Sequence, residues 1–408
     1  MRKSPLLFIL ATLFLDAMGI GIVYPVMPDL IAEISGAEIG SAALWGGVLA
    51  TAYAVMQFLC APVLGALSDR FGRRPVLLVS LGIMAVDYLG SALAHTIWLL
   101  LALRLLAGVT AATHATCNAA MADVTPPEKR SQTFGLLGAA FMGGFILGPV
   151  IGGFLGEWGP RAPFWAAAIL ATANLAFGWW ALPETVTDAT RRPLEWARAN
   201  PLGAFRSVGR LAGVAPLLLV LFLTDLAFIS YVAVWAFWGK AAFGWSPLET
   251  GISLAAFGLG AIWAQAYGIR LYLRWLGERG TILFSIAFSL VFFLVFAALP
   301  PNELGGWLAI LLCPLSALGE VLVPALQGRI SRLAPEDAQG ETLGVVASTR
   351  SAAQMVGPLV MAGVFAWGAS VPGGYLYGAP YLLGAAIMAA CYLMFRRSTV
   401  PEPAPATS

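Results

Sequence analysis

Apolar runs of about twenty residues, separated by short polar breaks, follow one another along the chain. A helix rises about 1.5 Å per residue, so roughly 20 apolar residues cross a hydrocarbon layer about 30 Å thick. The pattern therefore predicts an all-α membrane protein with twelve transmembrane helices. Their approximate ranges are 6–28, 43–67, 75–94, 97–121, 131–155, 162–182, 213–238, 247–270, 280–299, 305–330, 341–368 and 376–395. The longest polar break, 183–212, is basic and interrupted by prolines. It reads as a cytoplasmic linker between two pseudo-symmetric six-helix halves, 1–182 and 213–397, with Trp196 and Phe205 turned toward the membrane surface. Residues 398–408 read as a disordered tail. Gly268–Arg279 falls between spans 8 and 9 as Ser68–Arg74 falls between spans 2 and 3, and Gly357-Pro358 in span 11 echoes Gly148-Pro149 in span 5. Two such halves imply a central site near the bilayer midplane.

Composition narrows the class. Hydrophobic residues make up 59% and charged residues 11%, against about 25% charged in soluble domains. The net charge of +2 says little, but its distribution says a good deal. With Met1 inside, nineteen of the 23 lysines and arginines fall on inner loops and tails, Arg161 and Lys240 fall outside, and Arg104 and Arg350 lie within spans. The positive-inside rule then puts both termini in the cytoplasm. Basic residues spread over short loops form no stripe for nucleic acid. The four cysteines sit in apolar runs without metal-ligand spacing, so packing is their expected role and no metal is expected. His95 and His114 have no partners at a spacing that enzyme chemistry needs. The first apolar run lacks a clear cleavage site and is expected to stay as span 1. A membrane receptor is the reading from another class, and it would usually add a soluble sensing domain.

Charges inside spans cost at least a few kcal/mol on insertion scales, so each needs a reason. Asp16 lies about ten residues into span 1, roughly 15 Å deep. Asp87 in span 3 and Arg104 in span 4 have similar depths, roughly 18 and 25 Å from the inner side, and can meet across neighbouring helices. These three are the candidate proton-coupling group; a static cap or ion pair is the structural alternative. In the second half Asp225, Glu320 and Arg350 fall near mid-depth, either as a second coupling group with a Glu320–Arg350 pair or as an inert network. Candidate cavity groups are Tyr53, Gln57, His114, Asn118, Asp225, Gln265, Glu320, Gln327, Arg350 and Gln354, with Phe257 and Trp263 as flat apolar walls. A lone histidine such as His114 more often satisfies a neighbour.

Span 2 is expected to end at Leu67, with a connector of about seven residues before Pro75 opens span 3. Ser68, Asp69, Arg70, Gly72, Arg73 and Arg74 in it, with Asp123 at the inner end of span 4, form the candidate gating group. Gly144, Gly148, Pro149, Gly152 and Gly153 in span 5 bring small residues and a bend to a close helix contact.

The order Gly65-Ala-Leu-Ser-Asp-Arg-Phe-Gly-Arg-Arg-Pro75 resembles the signature loop between helices 2 and 3 of the major facilitator superfamily, in the version of the bacterial tetracycline/proton antiporters. Leu15–Gly21, Gln57, Asp87-Tyr88, Gly251–Gly258 and Pro324–Gln327 also match. The run Arg104–Ala112 resembles the span 4 signature linked to proton transfer, and Gly144–Gly153 resembles the signature of exporting antiporters. The resemblance implies a cofactor-free, proton-driven efflux carrier of a drug-like amphiphile, tetracycline-type, in a bacterial inner membrane and monomeric. A multidrug or metabolite exporter with a different substrate is the alternative. Two family features are absent: Ser289 stands where an acid is expected in span 9, and Leu259–Trp263 in span 8 has no histidine.

Overall fold

The computed structural model describes residues 5–111, 113–187, 191, 214–333, 339–374 and 376–397. Trp196, Phe205, the tail after Arg397 and Ala112 lie outside the described residues. Eleven helical stretches are long and apolar enough to cross a membrane, and Pro247–Ala297, at 51 residues, is long enough for two crossings. The fold is all-α with twelve spans in a 6+6 arrangement, and no strand occurs among the described residues. Most spans are apolar on every face, as lipid on one side and neighbouring helices on the other require. Three of their starts are marked by polar caps. Thr96 caps span 4, Asn302 caps span 10, and Ser246 with Glu249 forms a reciprocal capping box at span 8.

Several boundaries differ from the sequence reading. Span 2 runs from Ile39 to Phe71 and span 3 from Arg73 to Leu93, so the expected seven-residue connector is Gly72 alone. Ser68–Phe71 and Arg73–Arg74 are helical on either side of it, with Arg73 bonded to Ser68 and Asp69 across the turn. Gly72 makes the turn at φ 112°, a conformation that side chains disfavour. The second half repeats this: helix persists through Gly268–Leu276 and breaks at Gly277, φ 65°. Span 1 continues past Pro25 through a 3₁₀ turn, Tyr24–Val26, into a short helix, Met27–Ser35. Three other spans are broken where the pattern predicts continuity. Span 4 divides into Ile97–Val109 and Thr113–Val124, span 7 into Ala215–Ala233 and Trp235–Phe243, and span 10 loosens to a 3₁₀ turn at Ala317–Val321.

Within the first half span 1 packs along span 5 (Arg130–Gly156); between the halves span 2 meets span 11 (Gln339–Ser370) and span 5 meets span 8. The close contacts between halves gather at the end opposite Gly72 and Gly277. A Cβ on Gly47 would stand 2.9 Å from the Pro358 carbonyl oxygen, and one on Gly153 would stand 2.5 Å from that of Pro247. Tyr24 there donates to the carbonyls of Tyr231 and Val232, and Lys240 pairs with Asp29. Toward the Gly72 end, Gly65, Gly135 and Gly138 have open space where a Cβ would go. The halves meet closely at the far end.

Candidate functional site

In the first half the buried acids are Asp16 on span 1 and Asp87 on span 3. Asp16 is only 6% exposed, and its Oδ1 has no hydrogen-bond partner. Small residues allow this helix to be crowded: a Cβ on Gly144 would lie 2.2 Å from the Phe14 carbonyl oxygen and 3.1 Å from Ala17 Cβ. Asp87, 2% exposed, pairs through Oδ2 with Arg104, while its Oδ1 is left unbonded. Tyr53 and Tyr88 lie within electrostatic reach of Asp16, Asp87 and Arg104 alike, so spans 1 to 4 contribute to one cluster. Gln57 donates to the Ala111 carbonyl at 3.2 Å, which satisfies an acceptor freed by the break in span 4. The Asn118 amide nitrogen lies 3.1 Å from His114 Nδ1, one turn along the same helix, and His114 meets Phe141 edge-on.

In the second half Arg350 donates to Asp225 at 3.0 Å. The pair is therefore Asp225–Arg350, not the Glu320–Arg350 pair expected from depth alone. Glu320 sits in the 3₁₀ turn of span 10, within electrostatic reach of Asp225, Arg350 and Tyr231, with no hydrogen bond or ion pair of its own among the described residues. Ser289 is buried beside that turn, and a Cβ on Gly319 would approach its oxygen to 2.7 Å.

Between the halves lies a cavity of about 540 Å³, part of it open to solvent. Its walls come from span 1 (Tyr24), span 5 (Phe145), span 7 (Tyr231, Trp235), span 8 (Phe257) and span 10 (Cys313, Ser316) among others. Of the residues expected to line a cavity, Phe257 does so. Tyr53, Gln57, His114, Asn118, Asp225, Gln265, Glu320, Gln327 and Arg350 are not walls of this one. Trp263 and Gln265 are exposed on the helix surface, as is Gln354 on span 11, and Gln327 is half-buried. The wall aromatics of span 7 escaped the sequence reading because an apolar run does not say which of its faces turns inward.

At the Gly72 end Ser68, Asp69 and Asp123 of the candidate gating group are joined through Arg73. Arg73 pairs with Asp69 at 2.5 Å and Asp123 at 3.1 Å, and donates to Ser68 at 2.6 Å. Arg74 donates to the Trp179 carbonyl at 2.7 Å and lies over that indole ring, while Arg70 is exposed. Glu184 is the residue that sequence reasoning missed, having been counted as linker. Its carboxylate accepts from the backbone amides of Arg73 and Arg74 at 2.8 and 3.2 Å, and from those of Thr185 and Val186. An acid directly after span 6 was the available signal. Among the described residues no three His, Cys, Asp or Glu side chains stand together to hold a metal ion.

The family model described as Major Facilitator Superfamily matches residues 9–358 and 217–408. The chain belongs to that superfamily. Over 395 residues it is 40% identical to the class C tetracycline resistance protein of Escherichia coli, covering 97% of each chain. Over 410 residues it is 34% identical to the class D protein of Salmonella ordonez, covering 100% of each. The human organic anion transporter MFSD10 has the same fold, with a TM-score of 0.67 at 24% identity over 97% of this chain and 100% of its own. So has the nucleoside transporter NupG, with a TM-score of 0.78 at 14% identity over 97% and 98%. The chain is thus a multi-pass membrane protein of this superfamily, related to the bacterial tetracycline resistance proteins.

Proposed function

We propose that this superfamily member is a proton-driven exporter of small hydrophobic molecules whose range is not confined to tetracyclines. The observation that carries the reading is Asp16: a buried carboxylate with one oxygen unbonded, in the same half as a second acid already paired with Arg104. A lone buried carboxylate bears its own desolvation cost, and taking up a proton removes that cost. Span 1 carries Asp16 and also reaches the cavity through Tyr24, so a change at the acid can be felt at the substrate site. The charge asymmetry puts the Gly72 end in the cytoplasm. The cavity is then entered from inside, as loading an exporter requires, with the halves 1–182 and 213–397 rocking about it and residues 183–212 linking them. The Arg73–Asp69–Asp123–Glu184 network acts on closure of the inner side and touches no substrate. We take the working unit to be a monomer in a bacterial inner membrane.

Relatedness to tetracycline resistance proteins makes tetracycline the first compound to try. The broader exporter reading is favoured because Ser289 supplies no carboxylate in span 9 and the cavity walls are aromatic and aliphatic. The test is a resistance panel in an efflux-deficient host, followed by uptake into inverted vesicles of whichever compound responds. A protonophore should abolish uptake, and Asp16→Asn should do so at matched protein levels. Uptake that survives both treatments refutes proton coupling through Asp16.

A further inference from the structure

Span 5 carries one wall of the cavity, Phe145. At about 100° per residue, Phe141 and Gly138 lie within about 40° of Phe145 around the helix axis. The exposed Leu136, Leu147 and Phe154 stand about 160–180° round from it, on the apolar surface left for lipid. The face that walls the cavity therefore runs on toward the Gly72 end, turned away from that surface. Phe141 stacks on Phe145 with ring centroids 6.2 Å apart, and a Cβ on Gly138 would meet nothing within 4 Å. His114 joins this face from span 4: its ring meets Phe141 edge-on, centroids 5.3 Å apart, and the residue is exposed.

Hydrogen-bond donors are used unevenly along this path. Within the cavity the Tyr24 hydroxyl donates to the Tyr231 and Val232 carbonyls, and Trp235 Nε1 donates to Ser253 Oγ at 2.9 Å. Ser253 in turn donates to the Thr250 carbonyl, and Ser316 to that of Cys313, both at 2.7 Å. His114 keeps a donor. The Asn118 amide nitrogen, 3.1 Å from Nδ1, can only donate, so Nδ1 accepts and the ring proton sits on Nε2. Nε2 has no hydrogen-bond partner among the described residues.

We infer that His114 and Phe141 form a subsite, continuous with the cavity, for a neutral aryl ketone. The carbonyl oxygen accepts from His114 Nε2–H while the aromatic part lies along Phe141 and Phe145. The inference rests on the export reading in taking that ketone as cargo. The two kinds of group divide the recognition. The phenyl rings accept any flat apolar compound. A donor in an apolar setting favours an acceptor, and a hydrocarbon of the same shape leaves it unpaired. A carboxylate could also accept from Nε2, but its charge would lose water for a single N–H.

The test uses the purified full-length chain in detergent, labelled with nitrogen-15 at histidine; His95 and His114 are its two histidines. The probes are benzophenone and diphenylmethane, which share two phenyl rings and differ in the acceptor oxygen. The resonances lost in His114→Phe identify His114. Benzophenone should move the wild-type His114 Nε2 resonance, and diphenylmethane should leave it nearly in place. By equilibrium dialysis against empty micelles, His114→Phe should weaken benzophenone binding about threefold or more and diphenylmethane binding less than about twofold. If His114→Phe does not elute as a folded monodisperse protein, the wild-type resonances carry the test, with Asn118 in contact marking the His114 ring. An Nε2 resonance that neither probe moves, or that both move equally, overturns the inference. So does equal weakening of the two probes by His114→Phe. Gradient-driven export of another amphiphile, with no benzophenone binding, would overturn this subsite alone. Benzophenone binding that depends on His114, without any gradient-driven export, would overturn the export reading and leave the subsite standing.

Discussion

Replacing Gly144 by alanine tests whether close contact with span 5 is what holds span 1, and Asp16 on it, in place. The added Cβ would stand 2.2 Å from the Phe14 carbonyl oxygen and 2.9 Å from the Met18 backbone nitrogen, two atoms flanking the turn that carries Asp16. Carbon needs about 3.5 Å or more from such atoms. Span 1 must therefore retreat by about 1 Å, and neither obstacle is a side chain that can swing aside. Overpacking of this kind costs about 1–3 kcal/mol, toward the upper end here because the clash is with backbone. Alanine returns about 1 kcal/mol through its better helix propensity. The net expectation is a loss of about 2 kcal/mol. Gly138→Ala, six residues earlier in the same span, is the matched control: nothing lies within 4 Å of its added Cβ, so only the propensity gain applies. Thermal unfolding in detergent should show Gly144→Ala melting below wild type and Gly138→Ala at or slightly above it. Proton-coupled export by Gly144→Ala should fall further than its stability alone explains, because Asp16 is displaced with the helix. A Gly144→Ala protein melting at or above wild type, or a Gly138→Ala protein equally destabilised, refutes the reasoning.

Glu184→Ala removes one acceptor from four backbone amides and should cost about 1 kcal/mol, discounted for exposure; hydrogen exchange at the Arg73 and Arg74 amides should quicken, and unchanged exchange there would deny the cap. Lys240→Met cuts the half-exposed pair with Asp29 that bridges the halves at the far end, worth up to about 1 kcal/mol. Spin-label distances across that end should then show a larger population of the separated form, and an unaltered distribution would show that the pair holds nothing.

Span number and the 6+6 arrangement were legible because they are written in a local pattern. Twenty apolar residues identify a span without any knowledge of its neighbours. The proximity of Asp87 to Arg104 was also legible, since depth is set by counting residues. Partner choice in the second half was not: Asp225 and Glu320 have similar depths, and only the rotation of spans 7, 10 and 11 decides that Arg350 meets the former. The helix breaks in spans 4, 7 and 10 were missed for a related reason. Thr110, Val234 and Gly319 are unremarkable in an apolar run; the Ala111 carbonyl beside the first break accepts from Gln57, while the Thr110 and Val234 amides donate to carbonyls of the preceding turn. The cavity walls escaped notice because Tyr231 and Trp235 read like any membrane-facing aromatics until their helix is placed.

The two single-glycine turns give the most direct account of what each half holds rigid. Gly72 is followed by Arg73, which pairs with Asp123 at the end of span 4, and by Arg74, which donates to a carbonyl at the end of span 6. Gly277 is followed by Glu278, which pairs with Arg332 at the end of span 10 at 2.5 Å, and by Arg279, which donates to the Arg396 carbonyl at the end of span 12 at 2.9 Å. The connections repeat while the sign of the ion pair is reversed. A bond whose polarity can be exchanged between halves is one whose geometry matters more than its field. In both halves that geometry ties the third helix to the fourth and to the sixth. Each six-helix half is thereby fastened internally at the end opposite the close contacts between halves. The contacts between halves lie instead at the far end, where Gly47, Gly153, Tyr24 and Lys240 touch the opposite half, so the alternating-access reading proposed above requires those to break and reform.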